Sequence, residues 1–208
     1  MTSPTRVIEV APERLDRWLA GFAERHGHTD ATEESTPGGV VVSVQAADGS
    51  FVVATPFAHE PLGVVLVRRG GYAVGLASGG TFSASKVGSR HVQSRTAAGG
   101  WSQQRFARRR GNQADALVEA VVGHVQRILL GDDESPRSGA DGIPRALVVG
   151  GDRTLVREVL EASALRALSG LPVREFYDLP DPKRDVLDTA LRRGRAVRIE
   201  LTEAPTPS

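Results

Sequence analysis

Residues 63–76 read Gly63-Val-Val-Leu-Val-Arg-Arg-Gly-Gly-Tyr-Ala-Val-Gly-Leu76 and contain two short apolar runs, 63–68 and 72–76, beside a glycine pair. Short runs rich in valine favour β-strands, and Gly70-Gly71 between them predicts a tight β-hairpin. A longer strand is predicted immediately downstream, over Thr81–Gln93. These residues therefore predict an antiparallel meander at the centre of the fold.

The same pattern occurs upstream, where Asp48-Gly49 separates the apolar runs Val40–Ala46 and Phe51–Thr55. An Asp-Gly pair in this position is typical of a two-residue hairpin. The preceding residues 27–39 are polar and rich in turn-forming types, so a loop is predicted there. Before that loop, residues 11–26 are predicted to form an amphipathic helix. Its apolar face consists of Leu15, Trp18, Leu19 and Phe22.

The spacing of the apolar residues changes from strand-like to helical after the meander. A helix is predicted over 113–130, and the pattern allows a start as early as Gln103. Its apolar face consists of Leu117, Val121, Val125 and Ile128. A polar connection follows over 131–143, and helices and strands then alternate. The predicted strands are 146–149, 173–177 and 196–201, and the predicted helices are 152–168, starting from an Asp152 cap, and 183–193.

This order of elements predicts an α/β fold with one mixed sheet, in which an antiparallel meander is followed by alternating helices and strands. We expect a single domain over residues 1–201 and a disordered tail over 202–208. Of the 208 residues, 40% are hydrophobic and 25% are charged, which suffices for a globular core.

Several functional classes are excluded by composition. Because the chain has no cysteine, it has no disulfide framework, thiolate nucleophile or cysteine-ligated zinc. No apolar run approaches the roughly 18 residues that span a membrane, and the N-terminus lacks a signal-peptide core. We therefore expect a cytoplasmic protein with no membrane partner.

The formal net charge of +1 hides a strong local asymmetry. Residues 61–114 contain nine arginines and lysines and no aspartate or glutamate. A field of that sign attracts the phosphate backbone of nucleic acids, independently of base sequence. The charge pattern therefore indicates a polyanionic partner for the middle of the chain.

Within this cationic window, Gly99-Gly100 precedes two adjacent glutamines, Gln103 and Gln104. Paired glycines let a backbone approach a ligand closely, and a glutamine amide can both donate and accept hydrogen bonds. Such a side chain positions water or stabilises an oxyanion, but it does not abstract protons. This combination suits a reaction whose geometry is supplied largely by RNA.

The segment from Gly99 to Arg110 resembles the catalytic loop of eukaryotic and archaeal class I release factors. In those proteins a Gly-Gly-Gln is followed by a segment similar to Arg105-Phe-Ala-Arg108. Here Trp101 follows the glycines, and Gly100-Trp-Ser-Gln103 is instead similar to the Gly-x-x-Gln spacing of the Vms-type release-factor-like (VLRF) proteins, actinobacterial branch. The resemblance implies an RNase H-like release-factor catalytic domain with its catalytic loop at about 94–104.

This resemblance implies a peptidyl-tRNA hydrolase that releases nascent chains from stalled large (50S) subunits during ribosome rescue and quality control. The implied partners are the 50S subunit, 23S rRNA at the peptidyl-transferase centre, and peptidyl-tRNA, with no cofactor and no metal. Gln103 would order the attacking water, with Gln104 as the alternative, and Gly99 and Gly100 would form the turn. The implied RNA-binding residues are Arg90, Arg95, Trp101, Arg105, Arg108, Arg109 and Arg110.

Two other functions fit parts of the same sequence. Because Trp101 replaces the release-factor glutamine, the chain also fits a non-catalytic protein that binds ribosomal or transfer RNA. A nuclease would need clustered carboxylates around a divalent metal. The aspartates that such a site would use, Asp152, Asp178 and Asp181, form no recognisable pair in the sequence.

Overall fold

A computed structural model describes residues 5–89, 103–131 and 142–205, apart from the side chains of residues 103–113. The chain divides into two compact units. Unit 1 comprises the residues up to His59 together with those from Arg192 onward, and unit 2 comprises Glu60–Leu191. Each unit has a five-stranded sheet of its own.

Unit 1 is an antiparallel sheet with one helix packed on it. The sheet contains β1 (Thr5–Val10), β2 (Thr29–Thr36), β3 (Gly39–Ala46), β4 (Phe51–Thr55) and β10 (Val197–Thr202), in the order β1-β10-β4-β3-β2. A 3-10 turn at Pro12–Arg14 leads into helix α1 (Leu15–His26). Phe22 of α1 is fully buried in the same cluster as Val52 and Ile199 of the sheet. This burial holds α1 against the sheet face.

Unit 2 is built on a mixed sheet. Its strands are β5 (Leu62–Arg68), β6 (Gly71–Ser78), β7 (Thr81–Ser89), β8 (Ala146–Gly151) and β9 (Val173–Phe176), in the order β7-β6-β5-β8-β9. Strand β6 is antiparallel to both of its neighbours, whereas β8 runs parallel to β5 and to β9. Counted from β5, the order is 3-2-1-4-5 with only the second strand reversed, which is the arrangement of an RNase H-like sheet.

Within the described residues, three α-helices accompany the sheet of unit 2. Helix α2 (Gln103–Val125) continues into a π-helical turn at Gln126–Leu130, α3 (Arg153–Leu160) is followed by a 3-10 turn at Ser163–Leu168, and α4 (Arg184–Arg195) crosses the boundary into unit 1. The predicted apolar face of α2, from Leu117 to Ile128, is buried in one cluster with β5 and β6. Its core-facing residues therefore agree with the helical period read from the sequence.

The predicted α/β class is confirmed, and the strands are divided between two sheets instead of one. Both hairpins form, but neither has its predicted turn. The Ala46 backbone N–H donates to the Ser50 carbonyl at 2.9 Å, so the first turn has three residues, 47–49, instead of two. In the second hairpin Arg68 pairs with Gly71, which leaves Arg69-Gly70 as the turn, one residue earlier than predicted. The predicted helix 152–168 ends at Leu160, and its remainder is the separate 3-10 turn. The single-domain assignment stays a prediction.

Strands β1 and β2 of unit 1 were not predicted as strands. Residues 27–39 were predicted to be a loop, yet they contain β2, a polar edge strand with largely exposed side chains. Such a strand lacks the apolar alternation by which strands are predicted from sequence.

The predicted disordered tail 202–208 begins within the fold. Thr202 lies in β10, and the Ala204 backbone N–H donates to the Ser50 hydroxyl at 3.0 Å, so the first residues of the predicted tail belong to the fold.

No helix within the described ranges is both long and apolar enough to cross a membrane.

Two glycine substitutions should change stability in opposite directions. Gly151 has φ +106°, and a Cβ there would collide with the Val67 carbonyl. Gly151→Ala should therefore lower the free energy of unfolding by roughly 2 kcal/mol or more. Gly123 lies inside α2, and a Cβ added there would meet open space. Gly123→Ala should therefore raise the free energy of unfolding by about 0.5–1 kcal/mol. Urea denaturation of both variants measures this, and destabilisation by both would contradict the expected difference.

Candidate nucleic-acid interface

The residues predicted to form the site fall into two groups. One group lies outside the described residues and comprises Arg90, Arg95, Gly99, Gly100 and Trp101. The other group lies in the first turns of α2, where the backbone is described and the side chains are not. It comprises Gln103, Gln104, Arg105, Arg108, Arg109 and Arg110. The structure therefore fixes Ser89, which precedes the predicted catalytic loop 94–104, and the backbone of Gln103 near its end. The loop is taken below as the connection 90–102 between these two residues.

The first end of the loop lies at a defined edge of the unit 2 sheet. Ser89 ends β7 and pairs with Gly71, which in turn pairs with Arg68 at the end of β5. Adjacent strands are spaced by about 4.8 Å, so Ser89 lies roughly 10 Å from Arg68 across the sheet. Strands β5, β7, β8 and β9 all end at this edge, where ligand sites form in sheets with parallel strands.

The second end of the loop is the N-terminus of a long helix. Gln103 is the first residue of α2, so the predicted helix start at Gln103 is confirmed and the predicted loop 94–104 overlaps the helix by two residues. The first four backbone N–H groups of an α-helix have no acceptor within the helix, and its dipole places partial positive charge there. The first turn of α2 contains no acidic residue. Both glutamines therefore lie in a helical turn whose free backbone N–H groups attract negative charge.

The cations near this edge differ in what they can contact. Arg68 donates from Nη2 to the Leu179 carbonyl at 2.6 Å, so its guanidinium is bound to the protein itself. Its neighbour Arg69 is exposed, as is Lys86 on β7. The fold also brings a carboxylate close to the turn, because a Cβ at Gly70 would lie 3.7 Å from the Asp181 Oδ2. Although residues 61–114 contain no acidic side chain, the fold therefore places the negative charge of Asp181 beside their positive charges.

An aromatic pair that the sequence did not reveal lies beneath the end of β7. The rings of Tyr72 and His124 stack with centroids 5.0 Å apart, and the Tyr72 ring occupies the space that a side chain at position 88 would need. Burial lowers the pKa of His124, and the positive charges of Arg127 and Lys86 lower it further. The neutral imidazole is therefore the form that the folded protein favours.

Of the carboxylates considered for a nuclease, Asp152 has a structural role. The Asp152 carboxylate caps α3, accepting from the backbone N–H groups of Thr154 and Leu155 at 2.9 and 3.2 Å. Strand β5, which crosses the centre of the sheet, has no acidic side chain. In the described part of the chain, no group of three or more histidines and carboxylates is arranged to hold a metal ion. The carboxylate between β8 and α3 is thus used to cap the helix.

The stacked histidine predicts how stability depends on pH. Because the pKa of His124 is lowered by folding, the unfolded chain takes up its proton first as the pH falls from about 7 to 5. Stability should therefore decrease over that window, and His124→Phe, which keeps the aromatic ring, should reduce the decrease. Denaturation curves at both pH values measure this, with His124→Gln as a second non-titrating variant. A decrease as large in both variants as in the unchanged protein would contradict it.

Comparison with known proteins places the chain in a family. A search of curated proteins found no match. The sequence model of a family described as Actinobacteria/chloroflexi VLRF1 release factor matches residues 60–200, which is more than half of the chain and includes unit 2, both ends of the loop and most of β10. The protein belongs to the Actinobacteria/chloroflexi VLRF1 release factor family.

Proposed function

We propose that this protein is a peptidyl-tRNA hydrolase that releases nascent chains from stalled 50S subunits. Membership of the VLRF1 release factor family gives it a release-factor-like role in translation. The observation that carries the more specific proposal is the position of Gln103, at the positively polarised start of α2 and directly after the glycine-containing loop. The substrate would be the ester that joins the peptide to the terminal ribose of tRNA.

The proposed chemistry depends on orientation more than on acid–base catalysis. The Gln103 amide would hold a water molecule against the ester carbonyl. As that water attacks, negative charge develops on the carbonyl oxygen, and nearby backbone N–H groups at the start of α2 would stabilise it. The ester is already activated, and RNA hydroxyls in the peptidyl-transferase centre can relay protons. Correct alignment of the reactants can then supply most of the acceleration.

The loop ends support delivery of this glutamine to a recessed site. Thirteen residues, 90–102, connect Ser89 to Gln103. Gln103 itself lies at the end of that connection, fourteen residues before the buried Leu117, which is about 21 Å along the helix. The core-facing residues of α2, from Leu117 onward, hold the rest of the helix in unit 2. Unit 2 would thus remain on the ribosomal surface while the loop enters the peptidyl-transferase centre.

The cations on both sides of the loop would bind the RNA that surrounds that centre. On one side, four arginines lie within seven residues after Gln103: Arg105, Arg108, Arg109 and Arg110. On the other side, Arg69 and Lys86 are exposed near Ser89. Guanidinium groups bind phosphates through paired hydrogen bonds, so they would hold the loop on 23S rRNA and peptidyl-tRNA. Trp101 would stack on an unpaired base.

The second candidate function is RNA binding on the ribosome without hydrolysis. It is favoured by one observation, that Trp101 stands where class I release factors have their glutamine. The two functions share every cation and differ only in whether a glutamine side chain acts on the ester. Substitution of the glutamines therefore separates them.

Release of labelled peptide from peptidyl-tRNA on purified 50S particles should depend on Gln103. Gln103→Ala should lower the single-turnover release rate by at least about 100-fold, because the group that orders the water is lost. Gln104→Ala is the matched control and should retain most of the rate. Both variants should bind the particles as the unchanged protein does, as measured by sedimentation.

The other outcomes of that assay are equally informative. Loss of release in Gln104→Ala alone would move the catalytic role to Gln104. If the unchanged protein binds the particles but releases no peptide, the RNA-binding function without hydrolysis is correct.

Binding to 50S particles should become less sensitive to salt when cations after the loop are reversed. Arg108→Glu combined with Arg109→Glu should weaken binding and reduce the slope of log K against log salt concentration by about 1.5, as two phosphate contacts are lost. Titrations at several salt concentrations give the slope. An unaltered slope would mean that these arginines do not contact RNA.

A further inference from the structure

A groove on unit 1, far in sequence from the catalytic loop, is lined by a concentration of arginines. It has a volume of about 840 Å³ and lies beside α1 and the end of α4. Among the described residues, five arginines and one glutamate line it, and no lysine does. The arginines are Arg14, Arg17, Arg25, Arg192 and Arg193. We call this surface the arginine groove.

Three of these arginines lie in one row, one at the end of the 3-10 turn and two in α1. Arg14, Arg17 and Arg25, together with Gly21, are separated by three, four and four residues, which is the spacing of one helical face. At 1.5 Å per residue the row is about 16 Å long. The acidic residues of α1, Asp16 and Glu24, do not line the groove. Charge is therefore separated between two faces of the helix.

Most of this positive charge is not neutralised by the protein. The one glutamate in the groove, Glu9, is held by Arg193 through two hydrogen bonds of 2.9 and 3.1 Å. Across the described parts of the chain, Arg14, Arg17 and Arg25 form no ion pair with a carboxylate, and all three are exposed. The positive charges of such a row repel one another, and a bound anion would relieve that repulsion.

An aromatic side chain and an open glycine complete the groove. Trp18 lines it and is held parallel to Phe22, with ring centroids 6.1 Å apart and an interplanar angle of 7°. Gly21 lies one turn further along, and a Cβ there would have no atom within 4 Å, so the wall of the groove is open at that point. The groove thus combines guanidinium groups with an indole that is held in place by packing.

We propose that the arginine groove is a binding site for single-stranded RNA, separate from the catalytic loop. Guanidinium groups match phosphate geometry, and indole rings stack on unpaired bases. A 16 Å row is longer than one free phosphate needs, so a polymer with regularly spaced phosphates fits it better. RNA is the relevant nucleic acid because the chain belongs to a release factor family. This binding does not depend on peptidyl-tRNA hydrolysis, so either proposal can fail alone.

The first test measures binding of a fluorescein-labelled (CAA)4 oligoribonucleotide by anisotropy. Arg17→Ala combined with Arg25→Ala should weaken binding roughly tenfold at 0.1 M salt and reduce the salt slope by about 1.4. The matched control is Arg6→Ala combined with Arg198→Ala. It removes the same charge from unit 1, at arginines paired with Glu203 and Glu200 outside the groove, and should change affinity less than twofold.

The cations around the catalytic loop also attract RNA, so the effect of each pair of alanine substitutions is measured in two backgrounds. The groove and control pairs are placed both in the unchanged chain and in one carrying Arg108→Glu and Arg109→Glu. The groove pair should weaken binding in both backgrounds. Equal effects of the groove and control pairs in both backgrounds would overturn the proposal. So would binding of polyglutamate as tightly as the oligonucleotide, since the groove would then be a site for acidic protein segments.

A second readout places the RNA at Trp18 itself. The chain has two tryptophans, so Trp101→Phe leaves Trp18 as the sole source of indole emission. Saturation with (CAA)4 should quench that emission, and the Arg17→Ala and Arg25→Ala pair should shift the quenching to about tenfold higher RNA concentration. Unchanged emission at a concentration where anisotropy shows saturation would mean that RNA binds elsewhere.

Discussion

Unit 2 depends on the pairing of β5 with β8. These strands run parallel, with Val65 opposite Val149, and β5 is buried on both faces from Leu62 to Val67. Strand β7 runs in the same direction as β8, so the chain has to return to the opposite end of the sheet between them, and α2 lies in that connection. Together with the pairings of β6 and β9, it sets the ends of β5, β7, β8 and β9 at one edge. The start of the loop is at that edge as a consequence of how the core is built.

Positive charge is used differently in the two units. In unit 2, the cations lie next to a loop and a helix start, and Arg68 is taken up by a backbone carbonyl of the protein. In unit 1, five arginines line a groove in which Glu9 is the only acidic side chain that the described residues contribute. The near-neutral formal charge of the whole chain therefore says little about its partners. The arrangement of the charges on each unit is what matters.

Sequence patterns anticipated the local parts of the fold. Hairpins and the buried face of α2 were predictable because turns and helical spacing are encoded by neighbouring residues. The division into two sheets was not, because β10 pairs with β1 and β4 and so joins the two ends of unit 1 across the intervening chain. The Tyr72–His124 stack and the arginine groove also join distant residues. Gln103 was proposed as the catalytic residue from family resemblance, and the chemical role of its side chain stays a prediction.

Strand β2 has a consequence for how the protein behaves at high concentration. It covers β3, whose Val40–Val44 run would otherwise be an open, apolar strand edge, with Glu33 paired to Val42 and Glu34 to Val41. Uncovered edges of that kind template cross-β aggregation, and charged side chains oppose it. The acidic strand acts as a gatekeeper, and removing its carboxylates would expose the chain to amyloid-like self-association before it affected the core.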